Sequence, residues 1–144
     1  MAERPLHVLF LCTENACRSQ MAEGWLHALG DGRVRVSSAG SHPGVINPMT
    51  VLAMKEAGID LSTHHAKGLD EVDTEAITHV ITVCGNADQA CPTFPGNVAR
   101  LHWPIPDPKE LTREFPTLVN DGFRAIRDNL RDRVSMLLLE LDGH

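Results

Sequence analysis

Apolar positions along this chain change rhythm several times, and each change marks an element. Leu6 to Leu11 is apolar almost without a break, the pattern of a central buried strand. Beyond it Met21, Ala22, Trp25, Leu26 and Leu29 recur at helical spacing, with Gly30 placed to stop the helix. Val34 to Ser37 alternates and is short, which suits an edge strand, and residues 38–44 read as a loop. Asn47-Pro48 offers an N-cap followed by proline at the first helical position. With Gly58 as the stop, this predicts a second helix over residues 48–57. Residues 59–78 give one short helical stretch around Leu69–Ala76. His79 to Val83 predicts a third strand and Val98 to Trp103 a fourth. Prolines 104, 106 and 108 make that stretch a loop, since proline cannot donate to a ladder. Val119, Phe123, Ile126, Leu130, Val134, Leu137 and Leu141 advance by three or four, giving a long amphipathic helix.

Strands alternating with helices predict an α/β fold, a parallel sheet covered by helices on both faces with right-handed crossovers. A four-stranded order 2-1-3-4 puts the switch point between strands one and three. The carboxyl ends of strands one, three and four then share one edge, which carries Cys12, Cys84 and Asp107.

The 144 residues suit a single domain, 1–144, with 42% apolar and 22% charged residues. A net charge of −6 argues against nucleic acid, so an anionic substrate must be attracted locally. No apolar run approaches the ~20 residues of a membrane span, and the first residues lack the layout of a signal peptide. Four cysteines in that setting point to catalysis or metal rather than structural disulfides, and to a cytoplasmic location.

Most of the chemistry concentrates in Cys12-Thr13-Glu14-Asn15-Ala16-Cys17-Arg18-Ser19. A loop between a buried strand and a helix N-terminus favours an anion, through backbone N–H groups and the helix dipole. The same field favours a thiolate at Cys12. Arg18 adds a planar fork of donors matched to a tetrahedral oxyanion. Residues 13–19 are thus the predicted oxyanion cradle: Asn15 shapes the loop, Ser19 donates to the Cys12 thiolate, and Cys17 either fills space or is a second redox thiol. Cys84 and Cys91 are six residues apart, which is neither a Cys-x-x-Cys redox nor a zinc spacing. A zinc site would have to recruit His79 and His102, and no metal is assigned. The two thiols fit either a pair that bonds after the loop rearranges or two unpaired loop thiols. Asp107, framed by prolines, suits a general acid or a turn cap.

Taken together, Cys12-x5-Arg18-Ser19, Gln20 to Trp25, Ser38-Ala39-Gly40, Cys84-x6-Cys91-Pro92, His102-Trp103 and Asp107-Pro108 resemble the thioredoxin-coupled arsenate reductases of the low-molecular-weight tyrosine phosphatase family. The resemblance covers nearly the whole chain. It implies the four-stranded sheet, no organic cofactor, a monomer and a three-cysteine relay. In that relay Cys12 attacks arsenate, for which phosphate or sulfate are analogues, while Arg18 and the loop amides hold its oxygens. Asp107 protonates the departing hydroxyl, Cys84 attacks Cys12, and Cys91 resolves the bond as Cys84–Cys91 for thioredoxin to reduce.

Two positions depart from the pattern. Glu14 stands where relatives often have Gly or His, so its carboxylate should point outward. Relatives with a potassium site use an acidic residue together with counterparts of Asn15, Glu23 and Ser38. Here that position is Lys67, whose ammonium can replace the ion. The alternatives to the relay are a tyrosine phosphatase using Cys12, Arg18 and Asp107 with water, a reductase coupled to glutaredoxin or a small thiol, and an oxyanion-binding or thiol-sensing module without turnover.

Overall fold

The computed structural model describes residues 5–83, 94 and 96–142. Its element order is β1 (His7–Cys12), α1 (Arg18–Gly30), β2 (Arg35–Gly40), α2 (Pro48–Glu56), β3 (His79–Thr82), β4 (Ala99–His102), α3 (Pro108–Leu111) and α4 (Val119–Asp142). The four strands form one parallel sheet in the order β2-β1-β3-β4. This is the α/β class expected from the alternation of elements, and the strand order is the 2-1-3-4 order considered with it.

All six residues of β1 are buried, because a central strand has both faces covered. Val8, Phe10 and Cys12 face one cluster, in which Met21 and Trp25 of α1 meet Phe123, Ile126, Leu130 and Val134 of α4. Leu9 and Leu11 face a second cluster with Ala39, Ile77, Val80 and Phe94, flanked by Leu69 and Val72. The alternation is the two-residue period of a strand. Trp25 Nε1 donates to the Arg127 carbonyl at 2.9 Å, and Arg127 Nη1 donates to the Ala53 carbonyl at 2.9 Å, tying α1 and α2 to α4. On the surface Arg124 forks onto Glu56 through two 2.8 Å bonds, and this pulls the Glu56 carboxyl down to about 2.

Several boundaries differ from the sequence expectation. Gly30 is the last residue of α1, and the chain leaves the helix at Asp31 in the left-handed conformation (φ 49°). Residues 38–40, expected as loop, complete β2, because Cys12 pairs with Gly40 at the end of the ladder. Cys12 is accordingly the last residue of β1 rather than the first beyond it. The stretch around 69–76 forms only a 3₁₀ turn, Leu69–Glu71. Pro108, expected in a loop, opens α3, where its missing N–H costs nothing, and the Asp107 carbonyl accepts from the amides of Glu110 and Leu111. Asn47 caps α2 as expected, its side chain accepting from Met49 N at 2.9 Å.

Candidate functional site

β1 delivers Cys12, 6% exposed, to the edge of the sheet, and α1 begins at Arg18. The loop between them is braced from outside by the segment after β2. His42 N donates to the Thr13 carbonyl (2.8 Å), Gly44 N to Glu14 (2.9 Å) and Asn47 N to Ala16 (3.1 Å). The described residues contain no cis peptide bond, and in a trans unit the C=O of one residue and the N–H of the next point in opposite directions. With three carbonyls engaged by that segment, the N–H groups of Glu14, Asn15 and Cys17 point away from it. That is a nest for an anion, standing in front of a helix N-terminus.

The bracing demands a glycine at position 40. A Cβ there would stand 2.6 Å from the Thr13 carbonyl oxygen and 2.8 Å from Asn15 N, both backbone atoms. Asn15 adopts φ 55°, a left-handed conformation that asparagine tolerates better than most residues. Fully buried, it accepts from Gln20 Nε2 (2.7 Å) and Lys67 N (3.0 Å) and donates to Ser19 Oγ (2.8 Å). Asn15 thus ties the loop to α1 and to Lys67, and Ser19 is its acceptor, which leaves the hydroxyl proton of Ser19 for another partner.

A cleft of about 60 Å³ opens above the loop. Cys12, Thr13, Glu14, Ala16, Cys17 and Arg18 line it from one side, and Asp107, Pro108, Asn47 and Phe123 from the others. Three of the expected catalytic residues thus share one small space. Asn15 and Ser19, also expected in the cradle, sit behind its wall. Glu14 is exposed and lies along Gly44, its Oε1 3.2 Å from where a Gly44 Cβ would be. Arg18 Nη1 donates to the Ile105 carbonyl at 2.9 Å, so the arginine also grips the segment that carries Asp107. Cys84 and Cys91 lie outside the described residues.

Lys67 Nζ lies 3.4 Å from both Glu23 Oε1 and Ser38 Oγ, while Ser38 donates to the same carboxylate. An ammonium supplies the positive charge at this spot, and the residues do not fit a potassium ion beside it. His79 shares a hydrogen bond with Thr78, and His102 shares one with Thr82. Among the described residues no group of three or more His, Cys, Asp or Glu is arranged to hold a metal.

Sequence reasoning overlooked Phe123, Pro108 and Asn47 as cleft residues. Phe123 read as core in the periodicity of α4, and it is core on one side. Asn47 had a visible signal as an N-cap, but nothing local reveals that its backbone amide braces Ala16.

A family described as low molecular weight phosphotyrosine protein phosphatase matches residues 7–144. An arsenate reductase of Halalkalibacterium halodurans is 43% identical over 130 residues, covering 88% of this chain and 91% of that protein. A solved structure described as an arsenate reductase in the phosphate binding state superimposes with a TM-score of 0.74 at 28% identity, covering 94% of this chain and 98% of the other. A thioredoxin-dependent arsenate reductase of Corynebacterium glutamicum superimposes with a TM-score of 0.68 at 30% identity, covering 97% of this chain and 65% of the other. With this sheet order, this loop and a match along almost its whole length, the chain belongs to the low molecular weight phosphotyrosine protein phosphatase family.

Proposed function

We propose that the protein reduces arsenate to arsenite. The observation that carries the reading is the convergence of Cys12, Arg18 and Asp107 on one small cleft above a loop braced by the segment 42–47. Similarity to the H. halodurans arsenate reductase supports it. Arsenate is tetrahedral and anionic like phosphate, yet thiols can reduce it.

Cys12 acts as nucleophile, its thiolate favoured by the helix N-terminus. Its sulfur bonds arsenic while a hydroxyl leaves with a proton from Asp107. Thr13 to Ser19, with Arg18 foremost, hold and shape the anion cradle. Cys84 then attacks the Cys12 sulfur. A disulfide forms, and the As–S electron pair stays on arsenic, which leaves as arsenite. Cys91 attacks Cys84, freeing Cys12 and making the Cys84–Cys91 disulfide. A dithiol reductant returns this pair to thiols, and similarity to the thioredoxin-dependent C. glutamicum protein favours thioredoxin in that role. No organic cofactor or metal takes part, the protein acts as a monomer in the cytoplasm, and 1–144 works as one domain. No described helix is long and apolar enough to cross a membrane.

Family membership favours a second reading, hydrolysis of aryl phosphates. That reaction uses Cys12, Arg18 and Asp107 with water as resolving nucleophile, and has no use for Cys84 or Cys91. Arsenite release measured with a thioredoxin system separates the two. Cys84→Ala should abolish catalytic arsenite release and leave aryl phosphate hydrolysis intact. Peptide mapping after limited turnover should find Cys84–Cys91 in the parent and Cys12–Cys84 in Cys91→Ala. If both variants reduce arsenate at the parent rate, the relay is wrong.

A further inference from the structure

Gly122 occupies the first turns of α4, buried where that helix meets α3. Its φ is outside the left-handed region, so backbone conformation does not require glycine there. A helix interior disfavours glycine relative to alanine. The contact explains it. A Cβ at this position would stand 2.8 Å from the Pro108 carbonyl oxygen, 3.0 Å from Thr112 Cγ2 and 3.5 Å from Thr112 Oγ1. The first neighbour is backbone and cannot rotate away. It also belongs to the residue that follows Asp107.

On the other flank Arg18 Nη1 holds the Ile105 carbonyl, two residues before Asp107. The segment is thus fixed at both ends, by the arginine of the anion cradle and by the seat on α4. Phe123, next along α4, lines the cleft beside Asp107 and Pro108. We infer that Gly122 is a positioning residue for Asp107. The missing side chain lets α4 close on the Pro108 carbonyl and sets where the Asp107 carboxyl stands relative to Cys12. This rests on the reading of Asp107 as proton donor. A methyl group at residue 122 pushes Pro108 outward and carries the donor away from the leaving oxygen.

The test is Gly122→Ala, measured alone and in combination with Asp107→Asn. A displaced donor lowers kcat for arsenite release by about 10²-fold, the scale expected for a misplacement near 1 Å. The dissociation constant for inorganic phosphate, held by the loop amides and Arg18, stays at the parent value. With aryl phosphates, kcat/KM falls more for phenyl phosphate than for 4-nitrophenyl phosphate. The poorer leaving group depends more on the proton that moves from Asp107 to its oxygen as the P–O bond breaks and the S–P bond forms. In the Asp107→Asn background Gly122→Ala adds no further loss, because the two changes act through one carboxyl.

Parent-like turnover in Gly122→Ala, beside a slow Asp107→Asn, overturns this inference and leaves the proton-donor reading standing. An equal loss from Gly122→Ala with and without Asp107→Asn also overturns it. Parent-like turnover in Asp107→Asn removes the donor reading, and this inference with it. Should Gly122→Ala fail to fold, Gly122→Ala/Thr112→Ala relieves the two side-chain contacts and keeps the one with Pro108. A folded double variant with parent turnover overturns the inference, and one with the kcat loss supports it.

Discussion

Lys67 holds its ammonium 3.4 Å from the Glu23 carboxylate, with 16% and 15% of the two side chains exposed. The backbone amide of Lys67 also donates to Asn15 Oδ1, so one residue joins this ion pair to the anion loop. A cation that binds only the folded state raises its stability. With the ammonium in place, exchanging sodium for potassium should leave both melting temperature and turnover unchanged. Lys67→Met should cost about 1–3 kcal/mol, because the largely buried Glu23 carboxylate loses its charged partner. A potassium-specific rise in the parent melting temperature would refute the assignment.

Cys12 should titrate below the ordinary thiol value of ~8.5, since the start of α1 and the nearby Arg18 both favour its thiolate. Thiolate absorbance followed against pH in a variant retaining Cys12 as the sole cysteine measures this directly. A value at or above that of a free thiol would remove the proposed nucleophile. Arg18→Lys should weaken inorganic phosphate binding, because a single ammonium replaces both the fork and the tie to the Ile105 carbonyl.

Asn15 offers a way to separate conformation from bonding. Asn15→Gly keeps access to φ 55° and loses three side-chain hydrogen bonds, whereas Asn15→Ala loses the bonds and also strains the backbone. Both should weaken phosphate binding, and Asn15→Ala should be the less stable by about 1–2 kcal/mol. Equal melting temperatures would mean the loop relaxes out of its left-handed turn.

His7 is 1% exposed at the start of β1, where burial first and the charge of Arg35 second disfavour its protonated form, against a smaller opposing pull from Asp73. Its pKa is therefore below the ordinary 6.5 in the folded state. A histidine depressed in this way contributes stability that is complete above 6.5 and is lost as pH falls through the folded value. Urea unfolding between pH 7.5 and 5 should show the decline, and His7→Leu should flatten it. The decline should persist in Asp107→Asn, because His7 lies at the opposite end of β1 from the cleft.

The central place of β1 was legible because it is apolar on both faces, and α1, α2 and α4 were legible from their periods and caps. Boundaries were less so. Ser38-Ala39-Gly40 has no strand signature, and only its pairing with Phe10, Leu11 and Cys12 makes it one. Within the site, Cys12, Arg18 and Asp107 announce themselves by residue type and by their nearness to the carboxyl end of a strand. Gly40, Asn47 and the amides of His42 and Gly44 act through their backbones across some 30 residues of sequence, and side-chain identity says little about that.

Because the carbonyls of residues 13, 14 and 16 are bonded by the segment 42–47, the cradle is not a property of its own seven residues. It comes into being when β1 and β2 have paired. An excised peptide spanning Cys12 to Ser19 should therefore bind no anion. Conversely, an oxyanion that orders the loop should slow hydrogen exchange at the amides of His42, Gly44 and Asn47, although none of those three amides touches it.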